Sequence, residues 1–165
     1  MSECLFCQEW FQAQKIWEDQ YFSVVADRSP VNPGHLLAIT KAHRDDWFQL
    51  TREEKVDLLD VIEQMKKLAT SDVVYQQYVA TLQEPDVNPR TKFLCDFAVK
   101  NWQNIVKNCT GYNLGCNCGR DAGQSQLHFH YHLIPRFSGD CADAYGGVRR
   151  CISERGDYRA DAPNV

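Results

Sequence analysis

Apolar and polar positions recur along this chain with periods that mark most of its elements. Residues 8–15 have the spacing of a short amphipathic helix, and residues 17–19 read as a strand running into a turn. Residues 21–26, Tyr-Phe-Ser-Val-Val-Ala, are rich in β-formers and predict a strand that ends at Asp27. Turn-forming residues fill 29–34, Ser-Pro-Val-Asn-Pro-Gly, and 35–40, His-Leu-Leu-Ala-Ile-Thr, follow as the next strand. So short a connection predicts an antiparallel pair. Thr51 and Glu54 have the spacing of a capping box. Val56, Leu58, Leu59, Val61, Ile62, Met65 and Leu68 then recur mainly at helical steps, which predicts a long amphipathic helix with a core-facing stripe.

Val73, Val74, Tyr78 and Val79 predict a second helix, which residues 84–89 interrupt. A further helical stretch carries Phe93, Leu94, Phe97, Trp102, Ile105 and Val106. No polar constellation in 70–108 suggests chemistry, and the segment reads as packing. Residues 111–115 form a short strand, and a polar, glycine-containing loop at 116–123 leads into 124–136. There His128, His130 and His132 alternate with Leu127, Phe129, Tyr131 and Leu133. Strict alternation predicts a half-buried strand with all three imidazoles on one face and the apolar set in the core.

Composition adds bounds. A chain of 165 residues is expected to form one domain with a proper core. Its 44% apolar and 24% charged residues are ordinary globular composition. A net charge of −4 provides no bulk attraction to nucleic acid or to an anionic membrane. No apolar run approaches the roughly 18 residues of a membrane span, and residues 1–4 lack the features of a secretory signal. A cytoplasmic setting is therefore expected, in which the eight cysteines read as thiols or metal ligands.

Three of the five histidines fall within 128–132. Such a row suits metal ligation or general acid/base and nucleophilic work near neutral pH. Cys4 and Cys7 form a C-x-x-C pair with only three residues before it, too few for the strand of a redox unit. As half of a closed structural zinc site the pair needs two more ligands. His43 and His128 are the favoured candidates, Cys116 and Cys118 the rivals, and two buried free thiols the alternative. Asp27, at a strand end, either binds a ribose diol or caps the turn that follows.

His128-Phe-His130-Tyr-His132-Leu-Ile resembles the alternating histidine signature of the histidine triad (HIT) family of nucleotide hydrolases and transferases. The resemblance extends to residues 111–117 and 122–125, to Pro135 and Arg136, to 22–27, to Pro33-Gly-His35 and to Lys41-x-His43. Cys4-x-x-Cys7 resembles the zinc-binding N-terminus of prokaryotic-type members. The resemblance implies an α+β fold, a twisted antiparallel sheet of about five strands with packed helices. It also implies one HIT-like domain over 1–152 with a helical insertion at 69–108, a tail at 153–165, and a homodimer.

For the site, the resemblance implies that His130 attacks the α-phosphate of a purine nucleotide and forms a covalent nucleotidyl-imidazole. His132, Gln124, Ser125 and Asn117 would supply donors to the phosphate and leaving group. Asp27 would bind the ribose, with Phe6 and Val25 near the base. Arg28 stands where the family usually has an aliphatic residue, and would stack on the purine or bind a distal phosphate. Cys4, Cys7, His43 and His128 would hold a structural Zn2+, and the triad itself would need no metal. Dinucleoside polyphosphates, nucleoside phosphoramidates and adenylyl sulfate are the substrate classes implied. No membrane or obligate nucleic-acid partner is expected. His132 argues against the uridylyl transferase branch, which has glutamine there. Two other readings stand beside this one: a non-catalytic, zinc-stabilised nucleotide-binding interaction module, and a catalytic zinc hydrolase using all three histidines as ligands.

Overall fold

Ten consecutive-paired residues carry the centre of the molecule: β2 (Phe22–Ala26) and β3 (Leu36–Thr40) are buried at every position. Strands buried on both faces need a layer on each side, and a computed structural model describing residues 4–145 and 147–148 supplies both. β1 (Lys15–Glu18), β4 (Cys109–Gly115) and β5 (His130–Phe137) complete one antiparallel sheet in the order β1-β2-β3-β5-β4. One face, with Phe22, Val24, Leu36, Ala38 and Leu133, packs on helices α2 (Arg52–Leu68), α3 (Asp72–Gln83), α4 (Pro89–Lys100) and α5 (Trp102–Asn108). The other face, with Val25, Leu37 and Ile39, is covered by Phe6 and Phe11 from the 3-10 turn Leu5–Cys7 and helix α1 (Glu9–Gln12). The fold is α+β.

Local chemistry sets the boundaries. The Thr51 hydroxyl accepts from the Glu54 backbone N–H while the Glu54 carboxylate accepts from the Thr51 N–H, which closes the capping box at the start of α2. Asn88 caps α4 in the same sense, with proline at its first helical position. Gly34, at φ +79°, adopts a conformation that side chains resist. A Cβ there would also collide with the Ala69 carbonyl and press on Pro135. Asn32 ties the same turn to β5 by donating to the Pro135 carbonyl and to Asp140.

Several boundaries differ from the sequence reading. The helix expected at 8–15 is confined to Glu9–Gln12 because β1 already begins at Lys15 and pairs with β2. The helical stretch after Pro89 divides at Asn101, whose φ −101° and ψ 9° end α4 before α5 begins. The histidine strand starts at His130, where pairing with β3 begins at Ile39. Residues before it have no ladder to join, so His128 sits on a bend and Leu127 is 48% exposed rather than in the core. Phe129 and Leu133 are buried as expected. The tail at 153–165 lies outside the described residues. Among those described, no helix is long and apolar enough to cross a membrane.

Candidate active site and metal-ligand cluster

Register places the chemistry. Leu37 pairs with His132 and Ile39 with His130, so both imidazoles emerge on the face away from α2–α5. His130 donates its Nδ1–H to the His128 carbonyl at 2.8 Å. A carbonyl only accepts, so Nδ1 carries a proton, and in the neutral ring the lone pair is on Nε2. Phe6 holds this ring and that of His128 edge-on, at centroid distances of 5.4 and 5.8 Å.

His132 Nδ1 meets His35 Nε2 at 2.9 Å, and His35 Nδ1 lies 3.4 Å from Asp27 Oδ2. The result is a row, Asp27–His35–His132, that runs from the β2–β3 connection onto β5. Burial pushes both imidazoles toward the neutral form, and His132 is lowered to about 4 by burial and then by its histidine neighbours. Asp27 also caps its turn, its Oδ1 accepting from the Ser29 N–H at 2.7 Å. Of its two expected roles the turn cap is thus present, and Oδ2 is turned to His35.

A pocket of about 410 Å³ opens over these groups, within the range of small-molecule sites. His130, His132, His35, Ser125 and Gln126 line one end, and Phe6, Trp10, Phe11, Val25 and Leu37 give it apolar walls. Asp27 and Arg28 lie on its rim. Of the residues singled out in the sequence, Phe6, Val25, Asp27, Arg28, Ser125, His130 and His132 thus share one cavity. Gln124 and Asn117 do not line it. Gln124 is buried, and its amide braces the loop: Oε1 accepts from the Gly119 N–H at 2.8 Å while Nε2 donates to the Asp45 carbonyl at 2.5 Å. Asn117 is exposed on the same loop, its amide 3.8 Å from where a Cβ on Gly123 would sit.

His35, Trp10 and Gln126 were not assigned roles from the sequence. His35 carried a signal, a titratable residue opening an otherwise apolar strand behind a Pro-Gly turn. Arg28 has a partner that no local pattern indicated. Its guanidinium makes two bonds to Glu84 at the end of α3, Nη1 to Oε1 at 2.9 Å and Nη2 to Oε2 at 2.5 Å. The same group lies 5.8 Å from the centre of the Trp10 ring. The segment 70–108 is mainly packing, yet it contributes this carboxylate beside the pocket.

A second constellation sits behind the first. One ligand atom from each of Cys4, Cys7, His43 and His128 falls within 4.8 Å of the others. Cys4 Sγ is 3.3 Å and Cys7 Sγ 3.6 Å from His128 Nδ1, and Cys7 Sγ is 3.4 Å from His43 Nδ1. Tetrahedral zinc with bonds of about 2.3 Å to sulfur and about 2.0 Å to nitrogen requires S···N edges of about 3.5 Å, so the donor set fits that ion. Both histidines turn Nδ1 inward. His128 donates Nε2–H to the Thr40 carbonyl at 2.7 Å, and His43 Nε2 faces Asp45 at 3.2 Å, the outer bonds that orient metal-binding imidazoles. Without a cation, burial and the neighbouring Cys4 raise the Cys7 thiol to about 11. A bound cation would reverse that. Cys116 and Cys118 are not in this cluster. Burial and Cys118 push the Cys116 thiol to about 12. The three triad histidines do not converge on one ligand point: His128 belongs to this cluster, His132 to the row with Asp27 and His35, and His130 to neither. That geometry contradicts a catalytic zinc held by all three.

The chain is similar to several known proteins. An uncharacterized HIT-like protein of Methanocaldococcus jannaschii is 26% identical over 144 residues, covering 83% of this chain and 81% of its own. Protein hit of Bacillus subtilis is 24% identical over 163 residues, covering 97% and 86%. Among solved structures, a HIT family protein of Bacillus anthracis superposes with a TM-score of 0.54 at 27% identity, covering 84% of this chain and 77% of its own. A histidine triad nucleotide-binding protein of Candida albicans superposes with a TM-score of 0.53 at 25% identity, covering 82% and 76%. The HIT domain itself matches residues 10–139, which include the His35 turn, the whole histidine triad and the pocket walls from Trp10 onward. The chain belongs to the HIT domain family.

Proposed function

We propose that this protein is a nucleotide hydrolase or nucleotidyl transferase that cleaves a phosphoanhydride or phosphoramidate at the α-phosphate. The observation that carries the reading is the tautomer of His130: its proton is bonded to the His128 carbonyl, and its bare Nε2 belongs to a residue lining the pocket. A neutral imidazole approaches an anionic phosphate without like-charge repulsion. Nε2 bonds to phosphorus as the bond to the leaving group breaks, giving a nucleotidyl-His130. Ser125 donates a hydrogen bond to the departing oxygen or nitrogen. Water then displaces His130 and releases the nucleoside monophosphate, whereas another acceptor takes the nucleotidyl group itself; either way the P–N bond breaks and Nε2 regains its lone pair.

His132 contacts the phosphate. For it to present an N–H there, His35 must donate to its Nδ1, a bond the 2.9 Å separation permits. Donors preset for developing charge are typically worth about 3 kcal/mol each. Gln124 and Asn117 act through the loop: Gln124 fixes residues 119–124, which deliver Ser125, and Asn117 faces the phosphate when substrate is bound. Asp27 binds the ribose and Phe6 and Val25 the base. The Cys4–Cys7–His43–His128 group holds a structural zinc ion, which supplies rigidity and takes no part in the reaction. The homodimer implied by the family resemblance is checked by light scattering.

Incubation with nucleoside 5′-phosphoramidates and dinucleoside polyphosphates tests the reading. Release of nucleoside monophosphate in the presence of EDTA is expected, with turnover lost in His130→Ala while monophosphate binding persists. Binding without any turnover across the panel would instead favour the interaction-module reading.

A further inference from the structure

Among the described residues Arg28 is the one arginine or lysine lining the pocket, and two roles offer themselves, holding a distal phosphate or meeting the base. Charge decides between them. Glu84 neutralises the guanidinium through a two-point ion pair, and Asp27 is a second carboxylate lining the same pocket. The formal sum over Arg28, Glu84 and Asp27 is +1 − 1 − 1 = −1, which repels a further phosphate. A neutral ring meets no such penalty.

Geometry then indicates which ring. A guanidinium carries five N–H donors in a rigid fork, and Glu84 takes two, leaving three. Among the described residues no other acceptor bonds this side chain. Trp10 lies under the group and Glu84 fixes its plane, so the remaining edge is held in one orientation rather than swept through solvent. That edge presents paired donors. Guanine offers two adjacent acceptors, O6 and N7, whereas adenine sets an amino donor beside N7 and would face donor with donor.

We propose that Arg28, clamped by Glu84 against Trp10, is a specificity-determining residue that selects a guanine nucleotide over an adenine nucleotide. The inference rests on the nucleotide reading above and adds the base to it. A side-chain fork matched to O6 and N7 discriminates against the wrong base by about tenfold or more.

Calorimetric titration of the full chain with GMP and with AMP tests it. GMP is expected to bind about tenfold tighter or more. In Arg28→Leu the two affinities converge. They converge also in Arg28→Lys, which keeps the charge and loses the fork. Glu84→Gln, which frees the guanidinium, shrinks the preference as well. Equal affinities in the unaltered protein, or a preference that survives both Arg28 variants, overturn the base assignment and leave the nucleotide reading standing. Failure of both nucleotides to bind overturns the two together.

Discussion

A backbone carbonyl accepts a proton and never supplies one, and two histidines of this chain take their tautomers from that asymmetry. His128 and His130 each give one N–H to main chain, which leaves the other ring nitrogen, Nδ1 of His128 and Nε2 of His130, outside that bond; His128 turns it to the thiols, and His130 lines the pocket. The same burial makes the site acid-sensitive. His132 is lowered from 6.5 to about 4, and His35 is lowered too. Between those values the unfolded chain binds protons that the folded chain does not, so stability falls as pH falls from 6.5 toward about 4. For His132 the loss is at most about 3 kcal/mol. Chemical denaturation at a series of pH values checks this, and His132→Asn is expected to flatten the profile over that window. A wild-type stability that rises on acidification from pH 6.5 would reverse the assignment.

At the scale of elements, the turn before β3 does the positioning. Gly34→Ala would put a Cβ against the Ala69 carbonyl at a backbone angle that favours glycine. It is expected to lower stability by about 1–3 kcal/mol and to cut turnover through displacement of His35, read from denaturation and kinetics on the same sample. Thr51→Ala removes the cap of α2, does not touch a residue lining the pocket, and is expected to cost about 1 kcal/mol with turnover unchanged. These elements also show what a sequence discloses. The capping box and the alternation at β5 are local patterns, one bonding Thr51 with Glu54 and one placing His130 and His132 on a common face. The halt of the strand at His130 depends on where β3 runs out, and so Leu127 was misplaced. Contacts such as His35 with His132 and Arg28 with Glu84 join residues 97 and 56 positions apart. No periodicity encodes them, because they arise only once the sheet has formed.

Across the whole molecule, the thiol–imidazole cluster joins three distant segments: the N-terminal turn, the loop after β3 and the lead-in to β5. Phe6 stands between its two cysteines and against His130, so the ligands that close the cluster also seat the pocket wall. The Gln124 amide bonds the Asp45 carbonyl, and the Asp45 side chain faces His43, which links the Ser125 loop to the same cluster. A metal bound only by the folded chain stabilises it by mass action. Cys4→Ser or Cys7→Ser is therefore expected to lose the ion in elemental analysis and to lower Tm, and EDTA to lower Tm of the unaltered protein. Unchanged metal content in either variant would exclude that residue as a ligand. Turnover measured below the lowered Tm is expected to persist in EDTA, since the four-residue cluster does not include His130.

The assignment of His130 as nucleophile is tested most directly by trapping its product. Rapid quenching during turnover of a nucleoside phosphoramidate, followed by peptide mass spectrometry, is expected to show one nucleotidyl group on the His130 nitrogen and none in His130→Ala. Turnover with no adduct at any quench time, or an adduct that persists in His130→Ala, would contradict it.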